Sequence, residues 1–178
     1  MKESLNNIIR KITGYQISKF DSSAYIFRDK IKEFLDEQSP RGDILDIGSA
    51  QWNYPKEHYS GEKVTTLDIQ PPADIIGDVM NLPFSDNTFD YVICFETLEH
   101  VKNPFTAMNE IHRVLKPSGI FIGSAPFMYE IHGKEYGDYW RFTEQGWREL
   151  LIKFKTISIT PYSGKENTPV WHLVTSQK

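Results

Sequence analysis

Residues 91–95 read YVICF, a continuous apolar run. A strand with one wet face alternates polar and apolar residues. An unbroken run marks a strand covered on both faces, as parallel strands joined by crossovers are. Residues 44–47, 64–69, 74–76 and 120–122 give further short strand signals, with helical or crossover stretches between them. Such alternation implies an α/β fold in which helices cover both faces of a mostly parallel, doubly wound sheet. Two last strand signals, at 156–160 and 170–175, have only turn formers between them. They predict an antiparallel hairpin at one edge, which brings the sheet to about seven strands.

The helices are marked by periodicity and caps. Ser22 or Ser23 can cap a helix with Ala24, Phe27, Ile31, Phe34 and Leu35 on one face, ended by the SPRG of residues 39–42. Asn103 can cap another, with Pro104 at its first position and Ala107, Met108, Ile111, Val114 and Leu115 facing the core. The KPSG of residues 116–119 is expected to stop it. Thr143 can cap a third, lined by Trp147, Leu150, Leu151 and Phe154. Near the N-terminus, Leu5, Ile8, Ile9 and Ile12 predict a short amphipathic helix that covers the site or joins two subunits.

The chain has 178 residues, the length of one domain, read as a helical cap over 1–40 and a sheet domain over 43–178. Twenty Lys and Arg against 24 Asp and Glu, with no basic run, argue against a nucleic-acid partner. The single Cys94 excludes an intramolecular disulfide and a cysteine zinc cluster. No stretch reaches the ~18 apolar residues of a membrane span, and the N-terminus lacks a signal-peptide core. A cytoplasmic monomer or homodimer is expected.

In open parallel sheets, ligands bind beyond the carboxyl ends of the strands, where strand order reverses. After the first strand come Asp46, Gly48 and Ser49. Gly48 permits a sharp turn. Asp46 either caps that loop or orients a ligand ammonium. Asp68, after the second strand, offers two acceptor oxygens to the paired hydroxyls of a ribose. Asp78 follows the third strand as a turn residue or an acceptor for an adenine amine. The run FETLEHV at 95–101 follows the fourth. A G-x-G-x-x-G fingerprint is absent, which counts against a nicotinamide-dependent oxidoreductase.

The segments ILDIGSA (44–50), TLDI (66–69), GDVMNLPFSDNTFDYVICFETLEHV (77–101) and NEIHRVLKPSGIFIGSAP (109–126) together resemble the class I S-adenosylmethionine-dependent methyltransferases, in particular the ubiquinone/menaquinone-type group. The resemblance implies a Rossmann-like sheet and S-adenosylmethionine as cofactor, with S-adenosylhomocysteine as product. It implies that Asp46, Gly48 and Ser49 receive the methionine part of the cofactor and Asp68 the ribose. Ile69 then packs on the adenine, Asp78 and Val79 meet its amino edge, and Phe95 stands near the sulfonium. One departure is visible. The family's G-x-G-x-G loop reads Gly48, Ser49, Ala50, Gln51, Trp52 here. That bulk motivates the alternative of a non-catalytic binding or interaction protein on the same fold.

Residues 126–142, PFMYEIHGKEYGDYWRF, resemble the substrate loop of a methyltransferase subgroup associated with glycan biosynthesis. Its aromatics, interleaved with carboxylates and Arg141, suit a sugar with one stacking face and a ring of hydroxyls. Tyr139, Trp140, Arg141 and Glu99 are the candidate substrate residues. Trp140 and Phe142 covering the sheet, with Asp138 paired to Arg141, is the structural alternative. His132 and His100 are the candidate bases, because an imidazole titrates near neutral pH. His58, His112 and His172 have no clustered partners in the sequence, and no metal is expected.

Overall fold

The computed structural model describes residues 23–49, 54–162 and 170–178. The helix expected around Leu5 to Ile12, the residues Ala50, Gln51 and Trp52, and most of the turn at 161–169 lie outside the described residues. The chain divides into two compact units, Met1–Glu37 and Gln38–Lys178. Nearly all of helix α1, Ser23–Gln38, belongs to the first.

The second unit holds the sheet. Its elements run β1 (Asp43–Ile47), α2 (Tyr54–His58), β2 (Lys63–Asp68), β3 (Ile75–Ile76), β4 (Phe89–Phe95), a 3-10 turn (Leu98–His100), α3 (Pro104–Val114), β5 (Leu115–Pro126), α4 (Glu144–Leu150), β6 (Lys155–Tyr162) and β7 (Trp171–Gln177). Among the described residues the sheet has seven strands in the order β3-β2-β1-β4-β5-β7-β6. The first five are parallel, and β7 runs antiparallel between β5 and β6. This is the Rossmann-like doubly wound sheet that the alternation implies. Helix α2 is not visible in the hydrophobic pattern.

The YVICF run is central, as its composition demands. Val92, Ile93 and Cys94 are fully buried in β4, between β1 and β5. Burial pushes the Cys94 thiol well above its ordinary range, which leaves it inert. Helix α3 starts as expected. The Asn103 side chain accepts from the Thr106 amide at 3.1 Å, and Pro104 occupies the first turn. Helix α3 ends at Val114, yet the KPSG segment is no loop. Leu115 already pairs with Phe89 of β4, and Ile120 resumes the ladder opposite Tyr91. The segment is a bulge inside a long β5, because the apolar residues on both sides of it belong in the sheet.

The core gathers Leu45, Phe89, Met108, Ile111, Leu115, Phe121 and Trp147 between sheet and helices. Ile111 lies fully buried on α3, which packs against β5 and α4. Ile111→Ala is expected to cost about 3 kcal/mol by leaving a cavity that close packing cannot collapse. Urea unfolding at constant m-value measures that loss.

Candidate active site

The strand order reverses between β1 and β4, which lie side by side in parallel register. The loops after these strands therefore leave the same sheet edge in opposite directions and open a crevice. Gly48 sits in it at φ +80°, and its amide donates to the Leu67 carbonyl at 2.8 Å. A Cβ at Gly48 would lie 2.0 Å from Thr97 Oγ1. Only glycine allows both the left-handed turn and the contact between the two loops.

Asp46 and Asp68 end β1 and β2, and both are buried. Oδ2 of Asp46 and the hydroxyl of Ser49 have no hydrogen-bond partner among the described residues. Burial raises the Asp46 carboxyl to about 7, and the charge of Asp68 adds to that rise. Asp68 Oδ1 accepts from the Gln70 amide at 3.1 Å. Asp78 is exposed after β3 and accepts from the Met80 amide at 2.8 Å. Ile69 is 59% exposed beside them. The side chains of Val79 and Phe95 are buried. The eight residues expected at a cofactor thus fall on the carboxyl ends of four adjacent strands.

A second cluster follows β4 and β5. Glu99 is completely buried in the 3-10 turn, and neither of its carboxylate oxygens accepts a hydrogen bond from the described residues. His100 Nε2 lies 3.6 Å and His132 Nε2 3.8 Å from Glu99 Oε1. The two imidazoles meet edge to face at 4.7 Å. His132 comes from the loop after β5, and local bonds hold that loop in place. The Tyr139 and Trp140 amides donate to the Glu99 carbonyl at 2.7 and 3.2 Å. Trp140 Nε1 donates to the Val101 carbonyl at 2.9 Å. Gly133, at φ +67°, lies so close to His100 that a Cβ there would sit 2.7 Å from Cε1. The Glu99 carboxylate facing His132 raises that imidazole above its ordinary value, against the opposing effect of burial.

Asp138 forms a two-pronged ion pair with Arg141, whose charge holds the carboxyl well below the usual range. Arg141 also donates to the carbonyls of Trp140 and Glu130. The guanidinium is therefore occupied in shaping the loop. Tyr139 is 47% and Trp140 38% exposed, while Phe142 is buried. One residue escaped the sequence reading. Glu96, at φ +48°, accepts from Ser124 Oγ at 2.7 Å and Trp171 Nε1 at 2.9 Å. Burial, and then the charge of Glu99, raises its carboxyl well above the ordinary value. Its place in FETLEHV was visible, but its partners come from β5 and β7.

Comparison with known proteins gives this crevice a context. Residues 45–123 match a family model described as a methyltransferase domain. A demethylmenaquinone methyltransferase of Staphylococcus epidermidis is 52% identical over 60 residues, 34% of this chain and 25% of that protein. The sterol 24-C-methyltransferase erg6 of Schizosaccharomyces pombe is 51% identical over 45 residues, 25% of this chain and 12% of that protein. The matches thus span about a quarter or less of these relatives' own lengths. A solved protein of Pyrococcus horikoshii superposes with a TM-score of 0.66 at 20% identity, covering 98% of this chain and 99% of its own. The 1,6-didemethyltoxoflavin-N1-methyltransferase of Burkholderia thailandensis, solved with S-adenosylhomocysteine, superposes with a TM-score of 0.65 at 19% identity over 100% of this chain and 92% of its own. The fold is the Rossmann-like methyltransferase fold.

The Asp46 carboxyl keeps its proton up to about pH 7 when folded, against an ordinary value of 3.8. The unfolded chain releases that proton first, so the contribution of Asp46 to stability falls as pH rises between those two values. Asp46→Asn lacks this fall. The variant is expected to gain ~1–4 kcal/mol over the parent at pH 8, a difference that shrinks towards pH 4. Paired urea titrations across that range test it.

Proposed function

We propose that the chain is an S-adenosylmethionine-dependent methyltransferase acting on a small polar acceptor, with a sugar hydroxyl of glycan biosynthesis as the leading class. The observation that carries this reading is the row of carboxylates at the ends of β1, β2 and β3, next to a buried ionisable cluster at the end of β4. The donor set fits the cofactor. The buried Asp46 carboxyl and the neighbouring Ser49 hydroxyl suit an ammonium group, whose charge would return Asp46 to its ionised form. S-adenosylmethionine, when bound, supplies an electrophilic methyl group on a sulfonium, which an acceptor atom takes in line to leave S-adenosylhomocysteine.

The chain's residues then divide the work. Asp46, Gly48 and Ser49 hold the amino-acid end of the cofactor. Asp68 accepts from the ribose hydroxyls with its two oxygens. The exposed Ile69 covers one adenine face, and Asp78 with the Val79 backbone reads the adenine edge. Phe95 packs beside the reacting methyl. A hydroxyl acceptor must lose its proton as it attacks. In this reading Nε2 of His132 or His100 takes it, and Glu99 stabilises the resulting imidazolium. Tyr139 and Trp140, exposed beside that cluster, offer faces for a sugar ring. Arg141 shapes their loop through Asp138.

The relatives named for menaquinone and sterol methylation favour a second reading, in which the acceptor is a quinone-like or sterol-like ring. A radiolabelled methyl-transfer screen with glycans, nucleotide sugars and quinone precursors separates the two by which class becomes labelled.

S-adenosylhomocysteine titrated calorimetrically into the chain is expected to bind, and Asp68→Ala to weaken it at least about tenfold by removing both ribose acceptors. Absence of binding in the parent would instead favour a non-catalytic protein with the altered loop of Ala50, Gln51 and Trp52.

A further inference from the structure

The cluster at Glu99 presents a chemical problem that the methyltransferase reading leaves open. His100 Nδ1 lies against the Gly137 carbonyl, and His132 Nδ1 lies 3.1 Å from the Glu130 carbonyl. A carbonyl only accepts, so each imidazole carries a hydrogen on Nδ1. In the neutral rings, each Nε2 then holds a lone pair. Both face a carboxylate that is fully buried and that no group among the described residues donates to. Three electron-pair donors thus converge. Their ligating atoms all lie within 4.8 Å of one another.

A cation resolves this arrangement. We infer that Glu99, His100 and His132 form a binding site for a first-row divalent transition metal of the Zn2+ type. Two imidazoles and one carboxylate are a ligand set that such ions accept while keeping a position open. Around a tetrahedral Zn2+ with bonds of about 2.0–2.1 Å, neighbouring ligand atoms stand about 3.4 Å apart. The observed 3.6 and 3.8 Å to Glu99 Oε1 need a small contraction, and the two imidazole nitrogens, within 4.8 Å of one another, a larger approach. The outer contacts have the form that metal-bound histidines require, an Nδ1–H directed at a backbone carbonyl. His132 retains 30% exposure of its side chain, which leaves a path for an ion.

This site rests on the acceptor side of the proposed transfer and deepens its chemistry. A proton and a metal ion compete for the same lone pairs. With the ion in place, His100 and His132 are ligands. The open position then holds the acceptor oxygen and eases its ionisation as a Lewis acid. The spacing 99, 100 and 132 hides the set, because only the loop anchored on the Glu99 carbonyl returns His132 to its partners.

The test titrates Co2+ into the chelator-stripped full chain and reads the visible d–d absorption of a nitrogen- and oxygen-ligated ion. A single equivalent should bind, and His58→Ala, outside the cluster, should bind it equally well. Glu99→Gln and His132→Gln should each weaken uptake at least about tenfold, with unchanged far-ultraviolet dichroism. If one variant fails to fold, the other decides. No stoichiometric uptake, or uptake unaffected in the folded variants, overturns the site. Calorimetry with S-adenosylhomocysteine on the same sample keeps the two readings apart. Cofactor binding without metal uptake removes the metal site alone. Metal uptake without cofactor binding leaves the site standing and removes the transfer.

Discussion

The parallel ladder between β1 and β4, from Ile44 opposite Tyr91 to Ile47 opposite Cys94, is the constraint on which the molecule turns. It joins two strands that are distant in sequence and whose following loops depart in opposite directions. Everything chemical lies beyond its carboxyl end. On one side it delivers Asp46, Gly48 and Ser49, and on the other Phe95, Glu96 and the 3-10 turn with Glu99. Gly48 seals the junction, because its missing side chain is the space that Thr97 fills. The apolar burial that holds this ladder inside the sheet also withholds water from the carboxylates at its end. The raised carboxyls of Asp46 and Glu96 follow from the same packing that makes the fold stable.

Much of this was legible from residues alone. The unbroken YVICF run could only be an inner strand, and the caps at Asn103 and Thr143 announced their helices. The carboxylates after successive strands could be read in order, because each strand end is local in sequence. The bulge at Lys116 to Gly119 was not legible. Proline and glycine there look like a terminator, and only the partner strand shows that pairing begins before them. Helix α2, five residues long, is too short to carry a periodicity.

The site was legible to the extent that its partners were local. Asp138 and Arg141 sit three residues apart, and their pairing could be anticipated. Glu96 could not be understood the same way, since Ser124 and Trp171 reach it across 28 and 75 residues. The convergence of His132 on Glu99 and His100 has the same origin. A histidine 32 positions from its neighbour looks solitary until the loop is folded back.

That loop is fastened at Glu99 by the main-chain carbonyl and not by the side chain. The residue therefore plays two parts through separate atoms. The carbonyl is common to every amino acid, so the mooring is indifferent to what stands at position 99. Chemistry at the carboxylate can be rewritten while the segment that meets the acceptor stays attached. Equally, a foreign segment with free amides at the positions of Tyr139 and Trp140 can be grafted onto the same peptide unit. The architecture separates the evolution of acceptor choice from that of reactivity, with one peptide bond as the docking bracket between them.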